Sequence, residues 1–177
     1  MTIILGIDPG SVKTGFGLIS VEGGKHKYVS SGIIRLPKAP FPERLKVLAA
    51  SLDEIIDQFK PTEASVEEVF LAKNPGSAIK LGQARGGAIT VCVSKDLLVA
   101  EYTAKQIKQA VVGYGSADKL QVQQMVKTLL SLAAAPAEDA ADALAAAICH
   151  AHSRENILQA HSKSTAVAGR MKKGRMS

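Results

Sequence analysis

The apolar pattern is densest at the start of the chain, where Ile3, Ile4, Leu5 and Ile7 run almost unbroken over the length of a strand. Such a run predicts a strand covered on both faces. Pro9-Gly10 stops it. Apolar positions resume near Phe16–Val21 and, after a Gly23-Gly24 turn, near Tyr28–Arg35. Three strands joined by short glycine-containing links read as an antiparallel meander. Pro37, Pro40 and Pro42 mark an irregular link. Leu45, Leu48, Ala49, Leu52, Ile55, Ile56 and Phe59 then recur at helical spacing, which predicts a helix from Glu43 to Phe59, ended by Pro61. Ala64-Ser65-Val66-Glu67 and Leu97–Ala100 are short strands. Asn74-Pro75 supplies a capping side chain and a first-turn proline for a helix reaching about Val93. Thr103 begins a helix over Ala104–Val111, Gly113-Tyr114-Gly115-Ser116 is a loop, and Ser116 is placed to cap a helix from Ala117 to Leu132. Pro136 opens a last, alanine-rich helix to about His152. This order predicts an α/β fold, a mixed sheet covered by helices, over residues 1–155. Residues 156–177 show little apolar periodicity and read as a mobile tail.

At 177 residues, 46% of them hydrophobic, the chain is long enough for one well-filled core. No apolar stretch approaches the roughly 18 residues of a membrane span. No basic segment followed by an apolar one opens the chain, so a secretory signal is not expected. Cys92 and Cys149 stand in apolar surroundings without metal-ligand spacing, as small buried residues of a reducing compartment do. The expectation is a cytoplasmic protein with no membrane partner. The net charge of +6 is largely a property of the tail, which holds five basic residues and no acid after Glu155. The body is still polarised: residues 43–68 carry seven acids and three bases, residues 73–127 eight bases and three acids. An acidic block beside a basic one suits a site that holds metal next to a polyanion.

The acids supply the candidate chemistry. Asp8 and Glu67 each end a strand, and a carboxylate there is costly to bury without a cation, hydrogen bonds or water. Asp-Pro-Gly is also ordinary turn chemistry, which offers a plainer account of Asp8. At the start of the last helix Asp139 and Asp142, three apart, share a face; Glu138 and Asp142, four apart, form an alternative pair that periodicity does not exclude. Acids near a helix start have a plain explanation in the macrodipole, yet Ala140, Ala141 and Ala143 are small, as beside a closely pressed neighbour. Four carboxylates in one cleft would repel each other unless divalent cations lay between them, and hard oxygen donors suit Mg²⁺ or Mn²⁺. Two such ions suit phosphodiester cleavage. His26, His150, His152 and His161 form no catalytic set with serine or cysteine; His150 and His152 are only two apart, at the end of the last helix.

Ala78, Gly82 and Gly86 lie four apart on one face of the predicted 75–93 helix. Each mid-helix glycine costs about 1 kcal/mol relative to alanine, so the stripe predicts close approach, either to the domain's own sheet or to a second copy in a homodimer.

Ile4-Leu5-Gly6-Ile7-Asp8-Pro9-Gly10-Ser11 with Thr14-Gly15 resembles the opening of the RuvC family of Holliday-junction resolvases. Val66-Glu67-Glu68-Val69-Phe70, Ala72-Lys73-Asn74, Ser77-Ala78 and Leu81-Gly82-Gln83-Ala84-Arg85-Gly86 are similar to that family too. So are Lys108-Gln109, Val111-Val112-Gly113, Gly115-Ser116-Ala117 and Asp139-Ala140-Ala141-Asp142-Ala143-Leu144. The resemblance covers about residues 1–155 in register. It implies a ribonuclease-H-like fold with a five-stranded mixed sheet, acting as a homodimer on four-way DNA junctions. It assigns metal binding and catalysis to Asp8, Glu67, Asp139 and Asp142, with two Mg²⁺ per subunit and Mn²⁺ as a substitute. It implies insertion of Phe70 among bases, although Phe70 on its own also reads as core. It places Lys108 and Lys119 near the scissile phosphate. Among the basic residues from Lys73 to Lys127, Lys73, Lys80 and Arg85 are also expected to hold the DNA backbone. It implies a sequence preference at the cut and cooperation with the branch-migration proteins RuvA and RuvB. The tail after residue 155 has no counterpart in the resemblance.

Three rivals remain at this level. An actin-like ATPase or sugar kinase also opens with a strand and Asp-x-Gly, but needs a second similar domain and another phosphate loop. The others are a junction-binding protein without catalysis and a related nuclease acting on RNA.

Overall fold

Five strands form one mixed sheet in the order β3-β2-β1-β4-β5: β1 (Thr2–Asp8), β2 (Lys13–Glu22), β3 (Lys25–Arg35), β4 (Glu63–Glu67) and β5 (Leu98–Tyr102). The computed structural model describes residues 1–68 and 74–154. Phe70, Lys73 and the expected tail lie outside the described residues, as does His161. The predicted meander is present, with β1 and β3 each antiparallel to β2. β4 adds parallel to β1, and β5 parallel to β4. β4 and β5 follow crossover helices, α1 (Phe41–Phe59) and α2 (Pro75–Ser94) respectively, as parallel neighbours require.

Strand alternation sends β1 to two different cores. Leu5 and Ile7 join Leu18, Ala64 and Val66 under α1 and α2, which contribute Leu48, Leu52, Ile56, Ala84, Ala88 and Cys92. Ile4, with Ile19 and Val21, faces the opposite layer. That layer comprises α3 (Ala104–Val112), α4 (Lys119–Leu129) and the helix at 138–154, here α5. Both cysteines are buried and unbridged.

Several boundaries differ from the sequence expectation. α4 begins at Lys119, capped by Asp118, whose carboxylate accepts from the Gln121 amide at 2.9 Å while the Gln121 side chain answers the Asp118 amide. This reciprocal capping box favours Asp118 over Ser116. α3 is capped the same way by Thr103 and Gln106, and α2 by Asn74, as expected. α1 starts two residues early, at Phe41, because Pro42 fits a first turn that needs no donor there. His150 and His152 lie within the last turns of α5, as a helix reaching about His152 requires. His150 links Tyr102 to the buried Glu63, and His152 packs against His26 with ring centroids 5.0 Å apart and planes tilted by 41°.

α5 sits unusually close to the sheet. A Cβ at Gly6 would run into the main chain of Ala143, and one at Gly15 into the main chain of Asp139. Gly15 is also the cross-strand partner of Asp8. The absence of side chains at these two strand positions, met by Ala140, Ala141, Ala143 and Ala147 on the helix, lets backbone approach backbone. The buried Ser65 hydroxyl then donates to the Ala146 carbonyl at 2.8 Å, tying β4 to the same helix.

Candidate active site

β1 and β4 run parallel with Ile7 opposite Val66, so Asp8 and Glu67 emerge side by side at adjacent strand ends. α5 is laid over Gly15, next to Asp8, and brings in Asp139 and Asp142 from its first turns. All four acids line a single cleft of about 340 Å³, walled by Lys108, Ile107 and Ala104 of α3 and by Lys119 and Val122 of α4. Glu138 does not line this cleft; it is exposed and paired with Lys119. Glu68 is absent from the lining as well, its amide bonded to the Tyr102 carbonyl at 2.8 Å. The alternatives left open by spacing thus divide cleanly between Asp139, inside the cleft, and Glu138, at its rim.

The acids feel one another. Burial, followed by the charges of Glu67, Asp142 and Asp139, pushes the Asp8 carboxyl up to about 8, against a smaller opposing effect of Lys119. Glu67 is raised by burial and by Asp142, and lowered in part by Lys108 and Lys119. Asp142 is raised by burial, with Lys119 the largest opposing influence. Lys119 is held above its ordinary value, chiefly by its bond to Glu138. Among the described residues no three acidic, imidazole or thiol side chains are already gathered as an ion cage. Asp139 is turned instead to the ammonium of Lys13. The residues fit a divalent cation nonetheless. The donors are all hard oxygens, and their mutual repulsion leaves negative charge that the surrounding lysines only partly balance.

The other predicted residues are placed less uniformly. Lys80 is exposed on α2. The head of Arg85 is turned inward: Nε donates to the Glu67 carbonyl at 3.1 Å and the guanidinium pairs with Glu101. Gly82 and Gly86 face away from the described residues, none of which comes within 4 Å of a Cβ built on either, and Ala78 is half-buried. The glycine stripe therefore does not pack on the chain's own sheet. Lys13 escaped the sequence reading. Its one available signal was proximity to Asp8 in the chain, since its partner Asp139 lies 126 residues away.

A five-stranded mixed sheet in this order, flanked by helices and with acids at the ends of its two central parallel strands, defines a ribonuclease-H-like protein with a nuclease-type site. The family model for crossover junction endodeoxyribonuclease RuvC matches residues 4–150. A protein of that name from Teredinibacter turnerae is 58% identical over 164 residues, covering 90% of this chain and 93% of its own. Its namesake from Acinetobacter baumannii is 60% identical over 152 residues, covering 86% and 84%. The structure of T. thermophilus RuvC in complex with Holliday junction substrate superposes with a TM-score of 0.82 at 33% identity, over 88% of this chain and 97% of that one. The chain belongs to the RuvC family of crossover junction endodeoxyribonucleases, hydrolases of phosphodiester bonds. Neither the RNA-directed nor the non-catalytic alternative is favoured by these matches. No helix among the described residues is long and apolar enough to cross a membrane.

Proposed function

We propose that this chain resolves four-way DNA junctions, each subunit of a homodimer nicking one of two like strands. The observation that carries this reading is the convergence of Asp8, Glu67, Asp139 and Asp142, from three separate elements, on a cleft walled by Lys108 and Lys119. The four carboxylates hold two Mg²⁺ ions, with Mn²⁺ as a substitute. When bound, such ions supply water activation and charge stabilisation at a phosphodiester. The protein's own part is positional. Asp8 and Glu67 are fixed by paired strands, Asp139 and Asp142 by a helix seated on glycine. Lys108 and Lys119 hold the phosphate backbone where the acids alone would repel it. Lys73 and Lys80 add further phosphate contacts, and Phe70 stacks on bases next to the cut, worth about 1–3 kcal/mol per base.

The outward Gly82–Gly86 stripe of α2, with Ala78, forms the dimer contact, since its open backbone admits close helix approach. Residues 1–155 act as the nuclease domain, and the basic tail adds salt-dependent phosphate contacts. The protein works in the cytoplasm with RuvA and RuvB, as its family membership suggests.

The test is a synthetic four-way junction with mapped cut positions, with and without Mg²⁺. Asp8→Asn should bind the junction and leave it uncut. Cutting at the wild-type rate by this variant would remove the assignment.

A further inference from the structure

Arg85 lies on α2 at the border between its buried face (Ala84, Ala88) and its open glycine stripe. A basic residue beside a DNA-binding cleft ordinarily reads as a phosphate contact, but this one is otherwise engaged. Its side chain is only 22% exposed. Nε donates to the main-chain carbonyl of Glu67 at 3.1 Å, and the terminal nitrogen Nη2 pairs with Glu101. Glu101 sits on β5 opposite Val66, so the guanidinium spans the ends of β4 and β5. A planar group with donors on several edges can satisfy a carbonyl and a carboxylate together, which an ammonium on a flexible stem does less well. Arg85 thus reaches Glu67 at its main-chain carbonyl.

We infer that Arg85 is a positioning residue: with Glu101 it clamps the end of β4 to α2, so that the seating of the dimer helix sets where Glu67 stands in the cleft. The inference rests on the reading of Glu67 as a metal ligand and of α2 as the dimer helix. Its consequence is a physical link between subunit contact and the catalytic centre, since Gly82 and Gly86 neighbour Arg85 on the same helix.

The test compares Arg85→Met, Arg85→Lys and Glu101→Gln in the full-length protein. Arg85→Met and Glu101→Gln should each slow single-turnover junction cutting about 10- to 100-fold, the range for losing a partner that orients a ligand. Arg85→Lys should restore only part of the loss. Junction affinity and its salt dependence should stay at wild-type values, and Mn²⁺ binding by the DNA-free protein should weaken. Glu101→Gln keeps the side-chain shape at a half-exposed position, so it tests the clamp even if Arg85→Met folds poorly. If Arg85 instead held phosphate, Arg85→Met would weaken junction binding and flatten its salt slope by about one. Glu101→Gln would then free the guanidinium and tighten binding. Either result overturns the inference, as does normal cutting by Glu101→Gln. Asp8→Asn and Glu67→Gln run alongside: if they cut normally, the reading of the site has failed. If they are silent while the clamp variants cut normally, only the clamp has failed.

Discussion

The Lys13 ammonium pairs with the Asp139 carboxylate across the mouth of the cleft, joining the first residue of β2 to the first turn of α5. Lys13 is 47% exposed and Asp139 16% exposed, so the pair is half in water. It puts a positive charge beside an acid that the proposed ions also need. Lys13→Met should therefore tighten Mn²⁺ binding by the DNA-free protein about two- to fivefold, the range of a partly exposed ion pair. Calorimetric titration measures this. Weaker binding would mean that Lys13 supports the ligand arrangement rather than competing with the ion.

The Asp8 carboxyl, pushed by burial and its acidic neighbours from 3.8 to about 8, sets a pH dependence for the metal-free protein. The folded state holds this proton more tightly than the unfolded chain. Its contribution to stability is present at low pH and is lost as pH rises from about 4 to about 8. Asp8→Asn removes that loss. In chelator, the variant should be more stable than wild type at pH 8, by on the order of 1–2 kcal/mol after screening by water in the cleft, and nearly equal at pH 4. Thermal unfolding at both pH values checks it; no gain at pH 8 contradicts the proposed repulsion.

Gly82→Leu should break the dimer without harming the fold. No described residue lies within 4 Å of a Cβ at this position, and leucine favours the helix over glycine by about 1 kcal/mol. Solution mass by light scattering should fall to that of one chain while helical circular dichroism holds. A variant that stays dimeric would move the subunit contact away from this stripe.

Gly15→Ala should be inactive although it removes no functional group. The added methyl meets the Asp139 main chain, so α5 must lift from the sheet. Overpacking of this kind costs about 1–3 kcal/mol, readable as a lowered urea midpoint. Junction cutting should fall with it, because Asp139 and Asp142 ride on the displaced helix. Wild-type activity in Gly15→Ala would show that the seat of α5 is not what places these acids.

Much of this arrangement was legible in local pattern. The unbroken apolar run of β1 marked a strand covered on both faces, and the helical spacing from Leu45 to Phe59 marked α1. What stayed hidden were choices decided by distant partners. Spacing could not separate Asp139 from Glu138, because the difference is set by which one α5 turns toward Asp8 and which toward Lys119. The stripe at Gly82 and Gly86 was visible, but not the side of the molecule it faces. Arg85 carried the charge of a DNA contact and only its geometry shows an inward partner. The cap of α4 was misread because Ser116 and Asp118 both carry capping groups; the reciprocal contact from Gln121 decides between them. Glu63, a buried acid held by both His150 and Arg154, gave no signal in its own neighbourhood.

The glycine seat of α5 has an evolutionary corollary. A descendant gene could lose its enzyme through a single methyl at position 6 or 15 and still encode every acid and every lysine of the cleft. A survey of decayed copies that looks only for missing carboxylates would score such a copy as intact.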